Sequence, residues 1–229
     1  MSYLNWDTKI ITDFSEENIE EMYDAGYVLT RVGHGVMNKT RSFRVDLSKF
    51  EMTSENRRIF KKAANYKLKI VPLPLSNYDW KIGKLAKDFY ESREAHFSAN
   101  KIKELLTDQK ESNFNTLAEI SAPSGNFGYV ICYESKNIFH YSYPFYIEKK
   151  DEPSRGLSMM MLAIEYAKNS GKKYIYLGSL QRPSDTYKLQ FKGAEWFTPS
   201  EAPRTDSGQV EGFDGSWQTD ISPLKQILK

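Results

Sequence analysis

The chain has 229 residues, 40% of them hydrophobic and 14% aromatic, enough apolar mass for one large domain or two small lobes and too much for a disordered chain. Its 32 basic and 30 acidic residues leave a formal charge of +2, which excludes a surface coated in phosphate-binding charge and confines any nucleic-acid role to local patches. One cysteine, Cys132, and three scattered histidines exclude a disulfide framework and a Cys-based cluster, so neither a metal nor a cofactor is expected. No apolar run approaches the ~20 residues of a membrane span and no signal-peptide pattern is present, which predicts a cytoplasmic protein without a membrane partner.

In chain order, Asp13-Phe-Ser-Glu-Glu opens a helix over 13–26 that Gly26 stops. Strands are predicted over 27–31 and 42–47, joined by the Gly-rich loop 32–36, with Phe43, Val45 and Leu47 on one face and Arg44 and Asp46 on the other. A second capped helix within 49–65 carries Arg57, Arg58, Lys61 and Lys62 outward. Prolines at 72 and 74 make 70–75 an edge strand or a hinge. Amphipathic helices are predicted over 79–94 and 98–109, with Trp80, Ile82, Leu85, Phe89, Ile102, Leu105 and Leu106 as core, followed by a polar loop. Then the period changes: strands over 127–133 and 138–147 form a hairpin, a helix runs from about 154 to 169, and a strand covers 173–177.

Antiparallel strands, a helix and a further strand make the β-β-α-β layout of a GNAT-like acyltransferase core. The expected fold class is α+β: a mixed, mostly antiparallel sheet flanked by helices, with a smaller N-terminal α/β lobe. The predicted division is an N-terminal lobe over 1–75, the transferase core over 76–202 and a mostly irregular tail over 203–229 with a closing helical turn near Leu224. The working edge is expected at Tyr174-Ile-Tyr-Leu-Gly-Ser179 and the aromatic and lysine run 187–193 behind it.

Two separated groups of motifs carry a family resemblance. The first is Gly26-Tyr27, Arg31-Val-Gly33, Phe43-Arg-Val-Asp46, Phe50 and Ser54-Glu-Asn-Arg57-Arg58; the second is Ser154-Arg-Gly-Leu-Ser158, Tyr176-Leu-Gly178 and Tyr187-Lys188-Leu-Gln-Phe191-Lys192. In order and spacing, over roughly 20–200, the chain resembles the arginyltransferases, the aminoacyl-tRNA-protein transferases that add one amino acid to a protein N-terminus. The stretch 37–42 lacks the family's cysteine cluster, Ser179-Leu180 stands where an aromatic pair is common, and Gly193 replaces a proline.

The resemblance implies an enzyme moving arginine or leucine from charged tRNA to the α-amine of a protein with an acidic N-terminal residue, as in an N-degron pathway of protein degradation. Such an ester is already activated, so positioning, proton removal and oxyanion stabilisation suffice. Tyr176 and Ser179 are the candidate catalytic residues. Arg31, Arg41 and Arg44 are candidates for holding the acidic acceptor through bidentate bonds. Arg57, Arg58, Ser154, Arg155, Gly156, Tyr187, Lys188, Phe191 and Lys192 are candidates for the aminoacyl-tRNA.

Each has a plainer structural reading. Tyr187, Phe191 and Trp196 read equally as the core face of an edge strand, the Arg57-Arg58 face as solvated helix surface, Met159 to Met161 as core, His34 and His140 as structural, and Ser154 as a helix cap. Two other functions fit the same core: an acyl-CoA-dependent N-acetyltransferase, whose pyrophosphate loop would need a cation or amide where Pro153 stands, and an inactive RNA-binding homologue.

Overall fold

In a computed structural model, residues 4–199 and 215–228 are described. Local signals explain most helix starts. In α1 (Glu16–Asp24) Ser15 accepts the Asn18 N–H; in α2 (Ser54–Lys62) Thr53 and Asn56 form a reciprocal capping box. Asp79 caps α3 (Trp80–Glu91) by accepting the Lys81 N–H, and Ser98 caps α4 (Ala99–Thr107) by accepting the Lys101 N–H. Trp80, expected in the core, is 65% exposed, because the first residue of α3 lies off the face carried by Ile82, Ala86 and Phe89.

The strands form a three-stranded antiparallel sheet and an eight-stranded mixed sheet. The small sheet contains β1 (Asp7–Ile10), β2 (Tyr27–Leu29) and β3 (Val36–Lys39), ordered β1-β3-β2; β3 lies in what the sequence suggested was a plain loop-to-strand connection. The large sheet contains β4 (Ser42–Asp46), β5 (Lys67–Pro72), β6 (Thr116–Ala122), β7 (Gly125–Glu134), β8 (Ile138–Tyr146), β9 (Tyr174–Ser179), β10 (Ala194–Pro199) and β11 (Gly215–Gln218). Its order is β11-β10-β4-β9-β8-β7-β6-β5. Every pair is antiparallel except β8 with β9, which the helix α5 (Arg155–Asn169) connects. A parallel pair needs such a crossover. The hairpin, the crossover helix and the parallel strand are the expected GNAT-like core, a mostly antiparallel sheet flanked by helices.

Strand pairing crosses the boundary placed at residue 75, since β4 and β5 belong to the same sheet as the hairpin. β5, which ends at Pro72, is indeed an edge strand. The loop expected after α4 holds β6, and the tail supplies β11 and the short helix α6 (Leu224–Ile227); the rest of the tail expectation falls on 203–214, outside the described residues. One apolar layer lies between the sheet and α2 and α5, where Phe43, Val45, Met159 and Met161 are fully buried. Another lies on the opposite face beneath α1, α3 and α4, around Tyr23, Leu105, Leu106 and Tyr176. β4 is therefore covered on both faces.

Candidate active site

β8 and β9 pair only over Ile138–His140 and Tyr174–Tyr176. Beyond those residues β8 stays with β7, while β9 follows β4, so that Ser179 lies against Ser42. Gly178 has a φ of +77°, a left-handed conformation that glycine adopts without strain and that helps turn β9 aside. The fork opens into a cleft of about 640 Å³ that includes Tyr141 to Pro144 of β8 and Leu177 to Ser179 of β9 in its walls. Met160 and Leu177 belong to the α5-side apolar layer and Leu29 and Tyr143 to the opposite one. The cleft can thus be reached by groups from both faces of the sheet.

Its charge is set by few groups. Arg31, Arg182 and Lys188 line it, and Asp185 is the one carboxylate among the lining residues. Asp185 accepts the backbone N–H groups of Gln181 and Arg182 at 2.8 and 2.9 Å, which ties its charge to the start of the 3-10 helix at Pro183–Gln190. Tyr187 and Lys188 ride on that helix rather than on an edge strand, and the alternating pattern broke because Pro183 and Asp185 begin a helical turn. Lys188 is buried, its Nζ donating to the Ser179 carbonyl at 3.0 Å. Burial lowers its pKa, partly offset by Asp185. Tyr187 is 43% exposed, and burial of its hydroxyl end raises its pKa to about 12.

Arg31 sits at the rim. Its guanidinium lies 4.0 Å from the Phe97 ring centre and donates to the His96 carbonyl at 2.7 Å, and no carboxylate pairs with it among the described residues. The loop behind it is pinned by Asn113, which donates to the carbonyls of Thr30 and Gly33 and accepts the Gly35 N–H at 2.6 Å. Gly35 has a φ of +76°, and a Cβ there would meet the Ile11 carbonyl at 2.4 Å.

Of the residues picked from sequence, Arg31, Ser179, Tyr187 and Lys188 meet in this cleft. Tyr176 does not line it; fully buried, its hydroxyl accepts from Arg44 at 3.0 Å. Arg44 is no acceptor site. Its Nε donates to Glu195 at 2.9 Å and its Nη1 to Asp24 at 2.7 Å, while the rings of Tyr174 and Trp217 enclose it at 3.7 and 3.9 Å. Burial alone would lower its pKa, but Tyr176 and Glu195 turn the shift upward. Arg41 bonds Leu180 through its backbone carbonyl and, at 3.3 Å, through Nη1. Phe191 is core, tilted against Phe50, and Lys192 pairs with Glu51 at the surface.

Arg57 and Arg58 lie exposed on α2, Arg58 paired with Glu55. At the α5 start Arg155 folds back on Glu152 and donates to the Ile147 carbonyl at 2.7 Å. Bonds from Tyr66, Lys149 and Arg155 hold the Glu152 carboxyl down to about 2. A Cβ at Gly156 would come within 2.5 Å of the Tyr146 hydroxyl. Tyr141, Tyr143, Gln181, Arg182 and Asp185 were not singled out by the sequence as site residues, and His140 was given a structural role; only the Arg-Pro-Ser-Asp turn gave a local signal. Cys132 is fully buried, and burial drives its thiol pKa up, away from nucleophilic use.

No protein-family model matches the chain, and no curated protein matches it. Among solved structures it is similar to L-PGS from Bacillus licheniformis, with 13% identity, a TM-score of 0.47 and coverage of 93% of this chain and 68% of that one. It is also similar to FemX, with 7% identity, a TM-score of 0.43 and coverage of 73% and 61%. A third is the ribosomal-protein-alanine N-acetyltransferase from Brucella melitensis biovar Abortus 2308, at 14% identity, TM-score 0.34 and coverage of 53% and 86%. The chain spans about two thirds or less of the first two. No helix among the described residues is long and apolar enough to cross a membrane.

Proposed function

We propose that the protein is an acyltransferase whose donor is an aminoacyl-tRNA and whose acceptor is the α-amine of a protein beginning with an acidic residue. The observation that carries this reading is the fork between β8 and β9, which opens into a cleft lined by Tyr187, Lys188, Arg182 and Arg31. An activated ester needs a place where its carbonyl can be polarised and its leaving group held; the fork supplies buried donors, and Tyr187 with the nearby cations suits a stacked base and phosphate. The acceptor α-amine, with an ordinary pKa near ~8, is partly neutral at pH 7 and needs little general-base help. Arg31, without an ion-pair partner among the described residues, is the residue to hold the acceptor's carboxylate.

The acyl-CoA alternative is less well supported. A pyrophosphate at the start of α5 would meet the Glu152 carboxylate and the Tyr146 hydroxyl, where Arg155 is already committed. The test is incubation of the purified chain with labelled Arg-tRNA or Leu-tRNA and peptides beginning with Asp, Glu or Ala, with acetyl-CoA as a parallel donor. Labelled amino acid on the peptide α-amine is expected. Transfer from acetyl-CoA with none from any charged tRNA overturns the reading.

A further inference from the structure

His140 stands where the fork opens, as the last residue of β8 paired with β9, and it lines the cleft. Its Nδ1 lies 2.7 Å from the hydroxyl of Tyr23, a residue with no solvent exposure. That hydroxyl already accepts the Leu29 N–H at 3.5 Å, and Nδ1 is the acceptor its own proton meets among the described residues. The assigned tautomer has Tyr23 donating and Nδ1 accepting, which in a neutral imidazole leaves the ring proton on Nε2. Burial keeps the ring neutral, lowering its pKa to about 3 with repulsion from Lys188 added. Nε2 has no hydrogen-bond partner among the described residues, yet the one fully enclosed side-chain nitrogen or oxygen without a partner among them is Arg41 Nε. His140 is 2% exposed and lines the cleft, so a group seated in the cleft is what can reach Nε2–H.

We propose that His140, locked by Tyr23 as the Nε2–H tautomer, is a catalytic hydrogen-bond donor to the oxyanion formed during acyl transfer. The proposal rests on the acyltransferase reading above and adds a residue to it. The acceptor amine attacks the ester carbonyl carbon and a C–N bond forms. The carbonyl oxygen takes the negative charge and accepts Nε2–H. When the intermediate collapses, the ester C–O bond breaks, the leaving ribose oxygen takes the proton that the amine gives up, and an amide and a free hydroxyl result. His140 keeps its proton throughout; Tyr23 is a positioning residue. A neutral donor provides polarity at the fork without a second buried charge beside Lys188.

Two measurements on the full chain test this. Long-range 15N NMR of the imidazoles is tractable because the chain has three histidines, and the signal lost in His140→Gln assigns the ring. The expected pattern is protonated Nε2 and bare Nδ1, unchanged from pH 7.5 to about 5, becoming a tautomer mixture in Tyr23→Phe. Protonated Nδ1, or a charged ring at pH 5, overturns the proposal whatever the activity. In the transfer assay, His140→Leu should lower kcat by ~10²-fold to 10³-fold while the acceptor KM moves less than ~3-fold. His140→Gln, whose amide can still donate, should recover at least ~10-fold of that loss. A folded His140→Leu variant with parental kcat overturns the proposal alone. A wild-type chain that transfers from no activated donor overturns it together with the acyltransferase reading.

Discussion

Replacing Arg44 with methionine is expected to weaken the fold rather than acceptor recognition. The guanidinium joins β4 to Glu195 on β10, Asp24 at the end of α1, Tyr176 on β9 and Trp217 on β11. Methionine fills part of the space but strands the Glu195 carboxylate, whose side chain is 8% exposed, with Lys49 at 3.5 Å as the remaining cation among the described residues. Breaking a buried pair from one side costs about 3–5 kcal/mol. The Asp24 contact, 60% exposed, adds little, about 0–1 kcal/mol. The ring contacts are worth on the order of 1–2 kcal/mol where desolvated. Because these terms share one group they do not add, and a loss of about 4 kcal/mol is expected. For a chain of this length that is a fall in Tm on the order of 10 °C. Urea unfolding read by tryptophan fluorescence measures it, and the Arg44→Met/Glu195→Gln double variant should lose ~1–3 kcal/mol less than the sum of the single changes. An Arg44→Met variant within ~0.5 kcal/mol of the parent but with a raised acceptor KM would refute this account and return Arg44 to the acceptor site.

Lys188→Met should cut kcat on the order of 10²-fold with stability unchanged or raised, since a desolvated ammonium is removed; single-turnover transfer and a urea midpoint separate the two, and a destabilised variant with full kcat makes Lys188 structural. Arg31→Ala should raise KM for peptides beginning with Asp or Glu by ~10-fold to 100-fold, the loss of a charge-assisted bidentate contact, and leave Ala-initiated peptides unchanged; equal effects on all peptides would contradict the role. Stability should also fall as pH drops from 6.5 to 5. The His140 pKa is depressed from 6.5 to about 3 by burial and then by Lys188, so the unfolded chain binds the proton first; the stabilisation is complete above pH 6.5 and declines toward pH 3, approaching ~1.4 kcal/mol per pH unit. Glu152, held near 2, contributes acid loss only below its ordinary range. His140→Gln should flatten the slope between pH 6.5 and 5, and an unaltered slope would place the proton uptake elsewhere.

The helices were legible because their amphipathic spacing and polar starts are local; in the structure Ser15, Thr53, Asp79 and Ser98 cap them. The hairpin, α5 and β9 were legible from β-branched and aromatic runs and from the change of period. β6 was not, because Thr116-Leu-Ala-Glu-Ile-Ser-Ala122 is short and mixed, and its strand character comes from partners on both sides in β5 and β7. Arg44 was misread because its position on a strand shows which face it occupies but not what covers that face; Trp217 covers it from far along the chain. His140 reads as structural from the sequence for a similar reason, since its partner Tyr23 lies 117 residues away. The cleft itself follows from where two strands stop pairing, which depends on register and not on composition.

The central claim is that the fork between β8 and β9 receives the acylated end of the donor. It is tested most directly by photo-crosslinking a non-hydrolysable 3′-aminoacylamide tRNA carrying an azido-adenine at its last base, followed by peptide mapping. Crosslinks are predicted in 141–144 and 177–188, around Tyr141 and Tyr187, and lost on competition with unlabelled analogue. Competed crosslinks confined to the start of α5 at Ser154 to Gly156, or to the outer face of α2 at Arg57 and Arg58, would contradict it.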